Sequence, residues 1–145
     1  MPEDGYGWEK LFSERIFRHF EEEYGLVCRI ARYHNVYGPY GTWDGGRKKA
    51  PAAICRKVIE AKLAGRHEIN IWGDGTQTRS FMYIDDCIKG TQLIAHSEIA
   101  QPINLGSSEL VTINQLVDLA EEIAGVRLKR IYNLSASRGV IATIL

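Results

Sequence analysis

Across residues 4–24 the apolar side chains Trp8, Leu11, Phe12, Ile16 and Phe20 recur at intervals of three and four, while Glu9, Glu14, Arg15, Arg18 and Glu21 take the remaining surface. That spacing is the helical period, so it predicts an amphipathic helix, which Gly25 stops. Residues 26–32 are a short, mostly apolar run and read as a buried strand. Residues 35–49 then carry Gly38, Pro39, Gly41, Gly45 and Gly46 among aromatic residues. A loop of that length is more often functional than a plain connection. Further along, the pattern predicts a helix over 50–64 with Pro51 in its first turn, a strand over 68–72, a turn at 73–75 and a strand over 79–84. A helix over 85–96 opens with two acids in its first turn, and a strand follows over 102–105. Residues 112–124 predict a helix whose capping box is Thr112 with Gln115, whose buried stripe is Leu116, Leu119, Ala120 and Ile123, and whose stop is Gly125. A last strand is expected over 127–132. Strands and helices alternate throughout, which makes the fold class α/β.

Composition narrows the function classes. The 145 residues have the usual size of one folding unit, and the 18 Lys and Arg balance the 18 Asp and Glu, whereas a general nucleic-acid binder would carry a basic excess. Cys28, Cys55 and Cys87 are odd in number and lack the paired spacing of a zinc site or a disulfide framework, so they are expected to be core residues in a reducing cytoplasm, with no metal. No run reaches the about 18 apolar residues of a membrane span, and the opening MPEDGYGWEK is acidic and polar where a signal peptide is basic and then apolar. A cytoplasmic protein without a membrane or nucleic-acid partner is expected.

Two features carry candidate chemistry. Tyr6 and Lys10 stand four apart on the first helix and so share one face. A phenol ionises near pH ~10, so a tyrosine that takes a proton near neutrality needs positive charge beside it, which Lys10 supplies. Taken alone, the pair is more simply two residues on a helix surface. Lys49 follows Arg47 and Lys48, and neighbouring like charges favour a lysine that can give up its proton. Taken alone, this triplet is also a solvated basic turn.

The order of motifs weighs toward the catalytic alternatives. Tyr6-x-x-x-Lys10 is followed by Arg32-Tyr33-His34-Asn35-Val36-Tyr37-Gly38-Pro39, and then by Gly73-Asp74-Gly75-Thr76-Gln77-Thr78-Arg79-Ser80-Phe81 leading to Asp85 and Asp86. This series resembles the extended short-chain dehydrogenase/reductase family, the NAD-dependent sugar-nucleotide epimerases and dehydratases. Within it, the segment GGRKKAPAAICRK at residues 45–57 is similar to the GDP-mannose 3,5-epimerases.

The resemblance implies a piece of an NAD-binding Rossmann domain at residues 1–34 and most of a small α/β substrate-binding domain at 35–145. It implies NAD as cofactor and a nucleotide sugar, GDP-mannose, as substrate. Tyr6 would take the proton of the hexose 4-hydroxyl while hydride leaves C4, and Lys10 would support it. The ketone at C4 would acidify the hydrogens on C3 and C5, which Lys49 and a cysteine lying upstream of the tyrosine motif would exchange. Tyr6, Lys10 and His34 would contact the cofactor. Asn35, Lys48, Lys49, Ala50, Lys57, Gln77, Thr78 and Arg79 would hold the substrate. The related plant enzymes carry a glutamate at the position of Lys48, and none of the three cysteines matches the catalytic one.

Two departures set expectations about extent. No glycine-rich turn of the dinucleotide-binding kind precedes Tyr6, so Met1 is expected to be an internal methionine of a longer parent. At the other end the family's continuation is replaced by Gly139-Val140 and IATIL, which reads as truncation or a change of frame. The isolated chain is then expected to be non-catalytic, or to pair with a separate nucleotide-binding half. The apolar first helix also permits a homodimer.

Overall fold

The computed structural model describes residues 5–45 and 49–135. Its elements run α1 (Gly5–Tyr24), β1 (Ala31–Tyr33), β2 (Asn35–Tyr37), α2 (Ala50–Leu63), β3 (Glu68–Trp72), β4 (Thr78–Arg79), β5 (Phe81–Tyr83), α3 (Ile84–Ala95), β6 (Ile103–Leu105), β7 (Val111–Thr112), α4 (Ile113–Ala124) and β8 (Lys129–Asn133). They fall into two compact units, residues 1–32 with 88–105 and residues 33–87 with 106–145, which interleave along the chain.

In the first unit α1 runs from Gly5 to the expected end at Tyr24, and Gly25 at φ 67° ends it, donating its N–H to the Glu21 carbonyl. The strand expected over 26–32 is largely absent. Strand structure begins only at Ala31, beside β6, where the Ile103 N–H donates to the Ile30 carbonyl at 2.9 Å. Leu26 and Val27 lie 52% and 77% exposed, so their apolar character does not mark a buried strand. A strand forms where a neighbour offers a hydrogen-bonding edge, and the apolar run does not carry that information. Glu14 on α1 accepts a two-pronged contact from the Arg32 guanidinium at 2.6 and 2.7 Å, tying the helix to β1. A Cβ on Gly90 would lie 2.5 Å from Leu105 Cδ1, so α3 approaches β6 closely there.

In the second unit β3 and β8 pair in parallel, from Glu68 with Lys129 to Trp72 with Asn133. Side chains alternate along a strand, so Ile69 and Ile71 turn inward while Glu68, Asn70 and Trp72 turn out. Ile54 and Val58 of α2 and Val117, Ala120 and Ala124 of α4 close over them, with Ile113, Leu116, Val126 and Leu128 at the margin. Two shorter pairings complete the unit: β2 with β5 in parallel, and β4 with β7 antiparallel. Pairing with β5 turns Asn35 to Tyr37, expected as loop, into a strand. The single strand expected over 79–84 is instead β4 and β5, interrupted at the buried Ser80.

The capping box of α4 forms as the sequence predicts: the Gln115 N–H donates to Thr112 Oγ1 at 3.0 Å, and the Thr112 N–H to Gln115 Oε1 at 2.8 Å. Its buried stripe is the expected one only at Ala120, which is buried, and Leu116, which packs at the margin of the core. Leu119 and Ile123 are 51% and 88% exposed, and the inward residues are Val117, Ala120, Glu121 and Ala124. Glu121 turns the helix this way because its carboxylate is fully engaged. Oε1 accepts the Leu128 N–H at 3.2 Å, and Oε2 accepts from Arg127 and Arg130, each at 3.3 Å. A buried carboxylate is tolerated only when paired and hydrogen-bonded in this manner.

Candidate active site

In the first unit α1 presents Tyr6 and Lys10 on one exposed face, with the Lys10 ammonium 5.0 Å from the centre of the Tyr6 ring. The four-residue spacing therefore does what the helical period requires, and a cation stands over the phenol ring. Glu9 Oε1 lies 3.3 Å from the same ammonium. Both residues are open to solvent, Tyr6 at 68% exposure.

The second unit holds the other described candidates in two neighbourhoods. The first is a cleft of about 510 Å³ lined by the loop after β2, the start of α2 and the end of β5, including Tyr37, Gly38, Lys49, Cys55 and Tyr83. Lys49 is the N-cap of α2, with φ −80° and ψ 161°, and its carbonyl accepts the Ala53 N–H at 3.0 Å. Pro51, set in the first turn, gives up no needed donor there. Lys49 is thus fixed at its backbone while its long side chain borders the cleft, and Ala50 begins the helix. Lys48 lies outside the described residues. The floor of the cleft depends on Gly38, since a Cβ there would stand 2.4 Å from Ile84 Cγ2. The rings of Tyr37 and Tyr83 meet edge to face at 5.6 Å.

Cys55 is a correction. It lines this cleft and is exposed, whereas Cys87 is buried and Cys28 intermediate. On α2 the core takes Ile54 and Val58, and one step along the helix carries the next residue out of that stripe.

Arg56, one residue further on, lies inside the segment 45–57, but no role was expected of it. Its guanidinium contacts Asp44 and also Glu60, the latter at 2.6 Å, and stands 5.7 Å from the Trp43 ring centre. The loop that borders the cleft is therefore tied to α2.

The second neighbourhood surrounds the end of β3 and the turn into β4. Lys57 donates to the Asn70 carbonyl at 2.8 Å and lies 5.9 Å from the Trp72 ring centre. Gln77 Nε2 donates to the Trp72 carbonyl at 2.8 Å, and its buried Oε1 has no donor among the described residues. Arg79 Nη1 donates to the Thr78 carbonyl at 2.7 Å. A buried acceptor without a donor costs about 1–3 kcal/mol, so Gln77 Oε1 is suited to receive a hydroxyl.

Ser80, the residue after Arg79, joins His34 and Asn35 to this turn. Asn35 Nδ2 donates to the Ser80 carbonyl at 3.3 Å, and His34 Nδ1 stands 3.1 Å from Ser80 Oγ. Ser80 is 3% exposed and, though it falls inside the motif from Gly73 to Phe81, was assigned no role there. A serine directly before the apolar run Phe81-Met82 was the available signal.

Among the described residues no helix is long and apolar enough to cross a membrane. Residues 1–106 match the model of the NAD dependent epimerase/dehydratase family. The chain is 46% identical over 118 residues to GDP-mannose 3,5-epimerase of Arabidopsis thaliana, an alignment covering 81% of this chain and 30% of that protein. It superimposes on the crystal structure of UDP-glucose 4-epimerase with UDP-glucose from Thermotoga maritima with a TM-score of 0.83 and 31% identity, covering 97% of this chain and 43% of that one. The UDP-glucuronic acid 4-epimerase from Bacillus cereus, in complex with NAD, superimposes with a TM-score of 0.69 and 31% identity over 92% of this chain and 41% of its own. The chain thus spans about a third to two fifths of the length of these relatives. The ordered motifs, the α/β architecture and these matches agree, and the chain belongs to the NAD dependent epimerase/dehydratase family.

Proposed function

We propose that this chain supplies the acid/base and substrate-binding part of an NAD-dependent nucleotide-sugar epimerase that acts on GDP-mannose at C3 and C5 through a transient ketone at C4. Residues 1–34 belong to the nucleotide-binding domain in this reading and 35–145 to the substrate-binding portion. NAD, when bound, supplies the hydride acceptor and returns the hydride. The residues fit its redox end: Tyr6 is accessible, and Lys10 stands over its ring to stabilise a phenolate. Tyr6 then holds the proton of the sugar 4-hydroxyl and returns it at the end of the cycle. His34 lies beside the nicotinamide.

Lys49 moves the proton at C3 or C5, and its placement on the 510 Å³ cleft is the observation that carries the reading. A general acid/base needs a fixed approach and a flexible head, and a backbone-anchored lysine at a helix start has both. Asn35, Lys48, Ala50, Lys57, Gln77, Thr78 and Arg79 hold the nucleotide sugar. The lysine and arginine are suited to a diphosphate, and the unpaired Gln77 Oε1 to a hydroxyl.

The test is to combine the chain with the nucleotide-binding half of the Arabidopsis relative and supply GDP-mannose and NAD in deuterated water. Deuterium entering at C3 and C5 supports the proposal, and a product unlabelled at both positions counts against it. The likeness to the Thermotoga UDP-glucose 4-epimerase favours a second reading, inversion at C4 of another nucleotide sugar. In that case products across a panel of nucleotide sugars would differ at C4 and carry no deuterium at C3 or C5. Calorimetry of the chain by itself with NAD distinguishes a self-sufficient enzyme from a module. Absence of tight binding is expected of the module.

A further inference from the structure

Ser80 has one hydroxyl proton and two demanding neighbours. Its Oγ lies 2.6 Å from the Ser107 carbonyl oxygen, and a carbonyl only accepts, so the Ser80 proton is committed there. The same Oγ lies 3.1 Å from His34 Nδ1. With its proton spent, the hydroxyl can only accept from the imidazole, which requires a proton on Nδ1. In a neutral imidazole the other nitrogen, Nε2, then carries the lone pair. His34 Nε2 has no hydrogen-bond partner among the described residues.

Two further features hold this arrangement. Ser80 is 3% exposed, so water does not compete for its hydroxyl. The imidazole also packs against Gly106, where a Cβ would stand 2.0 Å from His34 Cγ. Only a residue without a side chain leaves room for the ring in this place.

We propose that Ser80 is a positioning residue that locks His34 in its Nδ1–H form and so presents Nε2 as an acceptor for an N–H donor, the chemistry that a carboxamide such as that of nicotinamide offers. The ligand half of this proposal rests on the reading that places His34 beside the cofactor. The tautomer half stands on the relay alone. The motifs assigned no role to Ser80 or Ser107, and Ser80 acts only through His34.

Nitrogen-15 NMR of the full chain at about pH 8.5, where an imidazole is neutral, reads the tautomer directly. His34 is expected to show a protonated Nδ1 and a bare Nε2. A protonated Nε2 in the wild-type chain overturns the proposal. Ser80→Ala should release His34 to the other tautomer, and Ser80→Thr, which keeps the hydroxyl, should retain the Nδ1–H signal. An unchanged tautomer in a folded Ser80→Ala also overturns it, and the wild-type spectrum decides the matter where that variant fails to fold.

The ligand half is read in the assembled enzyme by comparing NAD with its acetylpyridine analogue, which lacks the carboxamide N–H. Wild type should favour NAD in KM by on the order of 10-fold, and Ser80→Ala should lose that preference. Equal discrimination by the two proteins overturns the ligand half. A wild-type assembly that shows no turnover would sink the proposed function while leaving the tautomer result in force.

Discussion

Lys49 and Glu121 are both charged, and their surroundings give them opposite work. Lys49 is anchored through its backbone with its side chain on a cleft, so Lys49→Gln should leave folding nearly unchanged. In the assembled enzyme deuterium exchange at C3 or C5 should fall by about 10²–10⁴-fold while reduction of bound NAD, followed by absorbance, persists. Loss of both together would assign Lys49 to binding instead of proton transfer. Glu121 is 1% exposed and saturated with donors. Glu121→Ala strands Arg130, itself 19% exposed, beside Asp118 with a cavity at its other side. Urea unfolding should show a loss of about 3 kcal/mol, the scale for breaking a buried pair. The motifs singled out Lys49, which the structure places on the lining of the cleft. Glu121 was not singled out, because helical periodicity drew the inward stripe through Leu119 and Ile123 as well as Leu116 and Ala120, and a pattern of apolar residues cannot anticipate a carboxylate that two arginines and a backbone N–H satisfy. Ser80 was missed for the same reason: its importance comes from two partners at positions 34 and 107.

At the scale of elements, short-range signals carried furthest. The capping box of α4 depends on residues three apart, and it formed as expected. Thr112→Ala should lower stability by about 1 kcal/mol in thermal or urea unfolding, with Thr112→Ser nearly neutral. The strands were less legible, since β2 exists only by pairing with β5, and β1 only beside β6.

The tie between α1 and β1 has a defined pH response. The Arg32 guanidinium holds the Glu14 carboxyl below its ordinary range, against a smaller opposing effect of burial. The ionised carboxylate is therefore favoured in the folded chain. Its contribution is complete above the ordinary carboxylate range and is lost as pH falls through the lowered folded value. With Arg32 nearly half exposed, about 1 kcal/mol or less is expected. Stability of Glu14→Gln should match wild type at acid pH and fall below it at neutral pH, and a constant difference across the range would refute the assignment.

Arg56 performs a similar task for the loop at the cleft, joining Asp44, Glu60 and the Trp43 ring. Arg56→Ala is expected to change Trp43 fluorescence and to raise KM for the nucleotide sugar several-fold in the assembled enzyme. Arg56→Lys should recover little, because a single ammonium cannot serve two carboxylates and a ring at once.

The whole molecule shows what its elements leave uncovered. α1 has no buried residue, and its stripe Trp8, Phe12, Ile16 and Phe20, spaced at four, lies between 38% and 66% exposed. The amphipathic pattern was read correctly as a helix, but a pattern says only that a face is apolar, not that anything within the same chain covers it. Soluble monomers rarely leave a contiguous apolar surface of more than a few hundred Å² open. The chain by itself is therefore expected to bind a hydrophobic dye and to sediment as concentration-dependent oligomers. Phe12→Glu, at the middle of the stripe, should reduce both while leaving the β3–β8 core of the second unit intact by circular dichroism. Supplying the nucleotide-binding half should have the same effect if that half covers the stripe. A dye-silent, monomeric wild-type chain would mean that α1 finds cover within these 145 residues and that its exposed face is not the surface its apolar period describes.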